Sequence, residues 1–342
     1  MPPKTNSFKN KLILQKPKKW QLVLLAILIL LLAACSWTLA NARTVRDWYI
    51  LATYTPPKAI SDLAKTDTMT SYAKKLFYVN EPQLENKQQF AAQCPNGAEQ
   101  TYVIGCYHSG DNGIYLLNIH NTQLNGIIPV TAAYEMLHAG YARLSSGDKS
   151  KLDKQMWSFY KKNITSAEIK QQMAAYAKTE PGEQYDELYS VLATEVMNLP
   201  VTLENHYRLY FTNRKYIVQM YINYQSAFTN RQKAIAADDA QLAVLKSQIS
   251  SNEAELTNIK ASIDSEQSIL TASKNSGNIN AYNNGVPNYN DLVDQYNSIV
   301  NQTKSEIDEY NVLVTKRNSL AFAEQQLVQA LNASPQQTIT KN

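Results

Sequence analysis

The sequence predicts a mainly α-helical fold with a small β-hairpin (α+β), placed between an N-terminal transmembrane helix and a C-terminal coiled-coil hairpin. Three observations carry this reading. An uncharged, apolar run extends from Trp20 to Ala42. Short β-branched and aromatic runs give a strand signal around residues 100–119. From about Ala236 onward, apolar residues recur at alternating spacings of three and four.

The apolar run comes first. Leu22 to Ala34 is almost entirely Leu, Ile, Val and Ala, enough helix to cross roughly 30 Å of hydrocarbon. Six lysines (Lys4, Lys9, Lys11, Lys16, Lys18 and Lys19) precede it, against Arg43, Arg46 and Asp47 beyond it. Positive charge stays on the cytoplasmic side, so the expectation is N-in and C-out, with everything after about Ala42 extracytoplasmic. Leu32-Ala33-Ala34-Cys35 also resembles a bacterial lipobox, in which the chain is cut before the Cys and its sulfur lipidated. The alternative is an uncleaved signal anchor, favoured by the apolar residues Trp37, Leu39 and Ala40 that continue past Cys35. Either way the partner of this segment is the membrane.

The lysine tail also accounts for the net charge of +4. Without it the remainder is nearly neutral, and no Lys/Arg run follows Lys19. A nucleic-acid-binding role is therefore excluded.

Asp47 to Lys75 reads as amphipathic helix leading into a domain. Gln100 to Cys106 and Gly113 to Ile119 read as two strands joined by the turn-rich His108–Gly113 loop. Cys94 and Cys106 flank the first strand, and in an oxidising compartment such a close pair forms a disulfide; two free buried thiols are the alternative. Val130 to Leu144 reads as a helix, with Ala133, Met136, Leu137, Gly140, Tyr141 and Leu144 on its apolar face. A further helix runs from about Gln184 to Asn198 after the turn Glu180-Pro181-Gly182. There Leu188, Leu192, Glu195 and Leu199 fall on one stripe. A carboxylate in an apolar stripe needs a partner, either a neighbouring Tyr or His or a metal ion.

At the C-terminal end, Ile235, Leu242, Leu245, Ile249, Leu256, Ile259, Ile263 and Leu270 form a seam that includes the polar Asn252 and Glu266. Asn275 to Asn290, with Pro287, reads as a flexible turn. A second seven-residue repeat follows, visible at Tyr289, Tyr296 and Tyr310. The simplest product is an antiparallel hairpin; pairing between chains, making a homo-oligomer, is the alternative. The expected organisation is a basic cytoplasmic tail at 1–19 and an anchor at 20–42. An ectodomain at 43–225, the hairpin at 226–333 and a disordered tail at 334–342 follow.

The run Val130-Thr131-Ala132-Ala133-Tyr134-Glu135-Met136-Leu137-His138 resembles the His-Glu-x-x-His helix of gluzincin-type zinc metallopeptidases, with Tyr134 in place of the first His. Glu187 to Glu195 is similar to a downstream helix in membrane-anchored bacterial proteins of this kind, with Tyr189 where a His is expected. The resemblance implies Glu135 as general base, His138 as a zinc ligand and Glu195 as an acidic ligand. With Tyr134 at the first position, two ligands remain for a site that takes three. A degenerate, non-enzymatic domain is therefore expected, with no cofactor and with a protein partner held through the cleft or the coiled coil. The alternatives are an active zinc peptidase using Glu135, His138 and Glu195, and a purely structural coiled-coil spacer.

Overall fold

The computed structural model describes residues 18–94, 103–109, 113–179 and 181–333. The expected basic tail before Lys18 and the tail from Ser334 lie outside the described residues. The chain divides into two units, Met1–Thr55 and Pro56–Asn342. In the first, α1 (Lys19–Ala40) is followed at Asn41 by α2 (Ala42–Thr53). The 22 residues of α1 measure about 33 Å at 1.5 Å per residue, and an 18-residue stretch within them has a mean hydropathy of 2.7, long and apolar enough to cross a membrane. Ser36 and Thr38 turn their hydroxyls back onto the carbonyls of Leu32 and Cys35, at 2.7 and 2.9 Å, so this apolar helix leaves neither hydroxyl unpaired. Cys35 is free and exposed on it.

The second unit is mainly α with a three-stranded sheet. Its elements are α3 (Lys58–Thr66), α4 (Ser71–Tyr78), β1 (Gln83–Glu85), α5 (Lys87–Gln93), β2 (Gly105–His108) and β3 (Gly113–Leu117). Then follow α6 (Ile127–Ala142), α7 (Ser146–Asn163), α8 (Ala167–Thr179), α9 (Gln184–Glu195) and α10 (Val201–Tyr207), and finally the long α11 (Arg214–Asn275) and α12 (Ile279–Leu331). The sheet order is β1-β3-β2: β1 runs parallel to β3, with Leu84 opposite Leu116, and β2 runs antiparallel, with Cys106 opposite Tyr115. The hairpin expected from sequence is thus present. Its first strand begins at Gly105; residues 100–102 and the loop tip 110–112 lie outside the described residues. β1 went unread because three residues offer no alternation to detect, and its place is set by pairing to β3.

Helix α6 is the centre of this unit. It starts at Gly126, whose φ of 97° is a left-handed conformation open to glycine, and a Cβ there would come within 2.9 Å of Met220. Pro129 sits in the first turn, where its missing N–H has no helical acceptor to lose. Around α6 pack α3, α4, α9, α11 and the sheet. Val130, Ala133, Met136 and Leu137 are buried in the main core, which also holds Leu188, Leu192 and Ile217.

Helices α11 and α12 form an antiparallel pair. Lys316 Nζ bonds Asp238 at 2.6 Å, Gln241 bonds Glu309 at 3.2 Å, and Asn252 bonds Glu306 at 2.8 Å, with partners descending along α12 as they ascend along α11. The residues expected on the seam of α11, from Ile235 to Leu270, are all buried or half-buried, and Asp238 joins them. Two expectations are corrected. The turn is confined to Ser276–Asn278, Gly277 having φ 71°, and Pro287 lies inside α12 rather than in a loop. Close helix packing there is made possible by Gly285, where a Cβ would meet Leu270 and Glu266 at 2.9 Å. Second, α11 runs unbroken through the expected boundary at 225/226. Its first turns belong to the main core through Ile217 and Met220. The end of α12 closes a smaller core in which Leu327 and Ala333 join Phe90, Leu117 and Ile127.

Candidate functional site

Helix periodicity puts Tyr134, Glu135, His138 and Tyr141 along one side of α6. The first turn of α9 supplies Asp186 and Glu187, acids suited to a helix N-terminus. Between these helices and the edge strand β2 lies a cleft of about 710 Å³, lined also by Cys106, His108, Lys149, Tyr176 and Glu183. Strand β2 comes down directly on α6 because residue 105 is glycine: a Cβ would stand 2.4 Å from Thr131 Cγ2 and 2.7 Å from Glu135 Oε1.

Inside the cleft the polar groups are already wired to one another. The Tyr134 hydroxyl donates to Glu187 Oε1. His138 meets Asp186 Oδ1 through Nδ1 at 2.8 Å, and its Nε2 lies 3.6 Å from Glu187 Oε2. Ser190 Oγ bonds the Tyr134 carbonyl at 3.3 Å, fastening α9 to α6. Burial disfavours a charged imidazole, but Asp186, Glu135 and Glu187 outweigh it and raise the His138 pKa to about 10. Burial also pushes Glu135 up to about 7, against the pull of His138. Glu187 is raised by burial too, His138 opposing, and Tyr134 is held far above the usual phenol range. The carboxyl groups of Asp186, Glu135 and Glu187 thus favour the protonated form of His138, while burial favours the neutral form of Glu135.

Glu195 stands elsewhere. Two turns beyond Glu187, it borders a separate cavity of about 180 Å³ with Gln172, Tyr224 and the inner side of Tyr134 and Glu135. Burial raises its pKa to about 8, while hydrogen bonds from Tyr221 and Gln172 hold it back. The carboxylates facing His138 are therefore Asp186 and Glu187, in place of the expected Glu195. Tyr189 is fully buried away from the cleft. Its hydroxyl pairs with His206 Nε2 at 2.7 Å, and its ring packs against Tyr141, Tyr207 and Tyr210.

A zinc ion fits these residues poorly. Tyr134 offers a phenol that already donates to Glu187, and Asp186 already occupies Nδ1 of His138 while Glu187 stands near its Nε2. Among the described residues, His138, Glu187 and Glu195 do not gather ligand atoms within 4.8 Å of one another. The trio that does is Cys94, Cys106 and His108, with the two cysteines at disulfide distance and a Cα–Cα separation of 6.1 Å.

Sequence reasoning missed Asp186 and Glu187, which at a helix start resemble ordinary dipole-matching acids; only the packing of α9 on α6 aims them at His138. It also missed Arg214. This buried guanidinium takes Glu204 in a two-pronged pair at 2.7 and 3.1 Å, and donates to the carbonyls of Ala193, Val196 and Met197 at the end of α9. No protein-family model, curated protein or solved structure matches this chain.

Proposed function

We propose that this chain is a membrane-anchored binding protein of the bacterial cell envelope, held by α1 with its N-terminus inside and its folded part outside. Its cleft is a degenerate metallopeptidase-like site that receives an extended polypeptide segment without hydrolysing it. The observation that carries this reading is the Tyr134–Glu187 hydrogen bond, which occupies the position where the resembling helix would supply its first metal ligand. Two further features support binding. β2 is an edge strand bordering the cleft, so an incoming strand has backbone groups to pair with. Glu135, Glu183, Asp186 and Glu187 outnumber His138 and Lys149, which suits a basic side chain on the ligand. The α11–α12 pair serves as a coiled-coil arm for a second protein contact, with Val244, Ile269, Val312 and Phe322 exposed along it.

The test uses full-length protein in detergent, with its cysteines oxidised and no polyhistidine tag. Elemental mass spectrometry is expected to find no stoichiometric zinc, and peptide substrates are expected to remain intact. Basic peptides are expected to bind, with Glu187→Gln weakening them about tenfold by anisotropy, the loss of one charge-assisted contact. A second reading, an active peptidase with Glu187 replacing Glu195 on the metal, is favoured by the 3.6 Å approach of Glu187 to His138. Chelator-sensitive hydrolysis abolished by Glu135→Gln would establish it and overturn the first.

A further inference from the structure

The cleft mouth carries a second constellation that the binding reading leaves unused. Cys106 and His108 stand two residues apart on β2, so strand alternation turns both side chains to one face. Cys94, at the end of α5, reaches the same point. His108 Nε2 lies 3.2 Å from Cys106 Sγ, and the edge of its ring is held at 88° to Tyr115, centroids 5.5 Å apart. One ligand atom from each residue falls within 4.8 Å of the others, and all three residues border the cleft.

We propose that Cys94, Cys106 and His108 form a redox-gated site for a zinc-class divalent cation: a disulfide when oxidised, a Cys2His metal site when reduced. Zinc–sulfur and zinc–nitrogen bonds of about 2.3 and 2.0 Å in a tetrahedron set the sulfur and nitrogen roughly 3.5 Å apart, close to the separation Cys106 and His108 already have. The sulfur–sulfur bond is broken by a dithiol reductant, which leaves as its own disulfide while each cysteine sulfur takes up a proton. Metal binding then releases both protons. Two thiolates and the Nε2 lone pair of His108 supply three ligands, and the fourth position faces the cleft, open to water or to a donor atom of a bound ligand. In either state α5 stays tied to β2, so the edge strand keeps its place while the cleft gains or loses a Lewis acid.

Cobalt(II) serves as the probe, added to full-length protein in detergent, purified without a polyhistidine tag. One sample is air-oxidised and one reduced anaerobically with a phosphine. The reduced protein is expected to develop thiolate-to-cobalt charge-transfer absorption and strong tetrahedral visible bands saturating at one equivalent and bleached by zinc, the oxidised protein neither. His108→Ala is expected to weaken cobalt at least tenfold and Cys106→Ser to abolish the charge-transfer band, whereas His138→Ala and Tyr134→Phe leave both intact. That last pair separates this site from any metal at His138, so the two readings fail independently. No band on reduction, equal uptake by the oxidised protein, or uptake indifferent to His108→Ala would each overturn the proposal. So would a reduced chain whose far-ultraviolet helical signal is lost and not restored by the metal.

Discussion

Residue 134 decides what the cleft is able to do. As Tyr it donates to Glu187 and leaves His138 to pair with Asp186. Replacing it by His would remove the phenol, free Glu187 and place two imidazoles one turn apart on α6. Tyr134→His, with the disulfide intact, is therefore expected to take up close to one zinc per chain by elemental mass spectrometry, and Glu187→Gln in that background to lose it. No zinc in Tyr134→His would mean that the likeness to the zinc helix stops at the sequence. Glu195 makes a different statement, through pH. Its folded pKa, about 8, is raised above the unfolded carboxylate value by burial, so its contribution is fully present below about pH 4.5 and is lost as pH rises through 8. Glu195→Gln removes that dependence. Relative to wild type, its loss of stability between pH 5 and 8 is expected to be smaller by about 1–3 kcal/mol, read from melting curves across that range. His138 and Glu135 titrate partly within the same range, but both are present in wild type and variant alike, so the difference between the two curves isolates Glu195.

At the level of elements, what was legible in the sequence was whatever rests on local composition or periodicity. The N-terminal helix showed as an unbroken apolar run, the strand pair as β-branched and aromatic runs, and the seam of α11 as a helical repeat. What was not legible depends on contacts distant in sequence. Pro287 and the Asn-rich stretch around it looked like a turn because composition reports local preference, whereas packing against α11 at Gly285 carries the helix through. Glu195 was expected in the cleft through the resemblance of its helix to the metallopeptidase pattern, but the packing of α9 on α6 gives that place to Asp186 and Glu187 and leaves Glu195 at the neighbouring cavity. Arg214 is the clearest instance. It opens α11 yet donates to the otherwise unpaired carbonyls at the end of α9, and no spacing announces it. Arg214→Met leaves Glu204 unpaired and those carbonyls without donors, so a loss of about 3–5 kcal/mol is expected in denaturant unfolding. Adding Glu204→Gln should recover part of it, and an Arg214→Met chain as stable as wild type would remove the guanidinium from the account. On β2, Gly105→Val would drive a branched side chain into Thr131 and Glu135. A cost of about 1–3 kcal/mol and weakened peptide binding are expected together, since the same strand forms the cleft wall.

Over the whole second unit, the long helices are part of the domain that carries the cleft. α11 enters it through Ile217, Val218 and Met220, and α12 returns to it through Leu327, which is 1% exposed against Phe90 and Ile127. The distal part is held differently, by polar pairs such as Asn252–Glu306 and by a thin seam in which few residues are fully buried. The two regions therefore predict opposite responses to deletion. Replacing residues 246–312 by a short linker keeps both roots and shortens only the arm, so thermal unfolding of the domain and peptide binding at the cleft are expected to persist while any contact made by the arm is lost. Ending the chain at Gln225 removes Phe228 and Leu327 from the smaller core and uncovers Phe90, Leu117 and Ile127 at the foot of the sheet. Losing the buried Leu327 alone is worth about 2–5 kcal/mol, a large share of the stability of a domain this size. The truncated chain is expected to melt broadly and bind a hydrophobic dye where the loop-shortened chain does not. Equal, sharp melting of the two would make the arm a separable domain and put the boundary back where composition first suggested it.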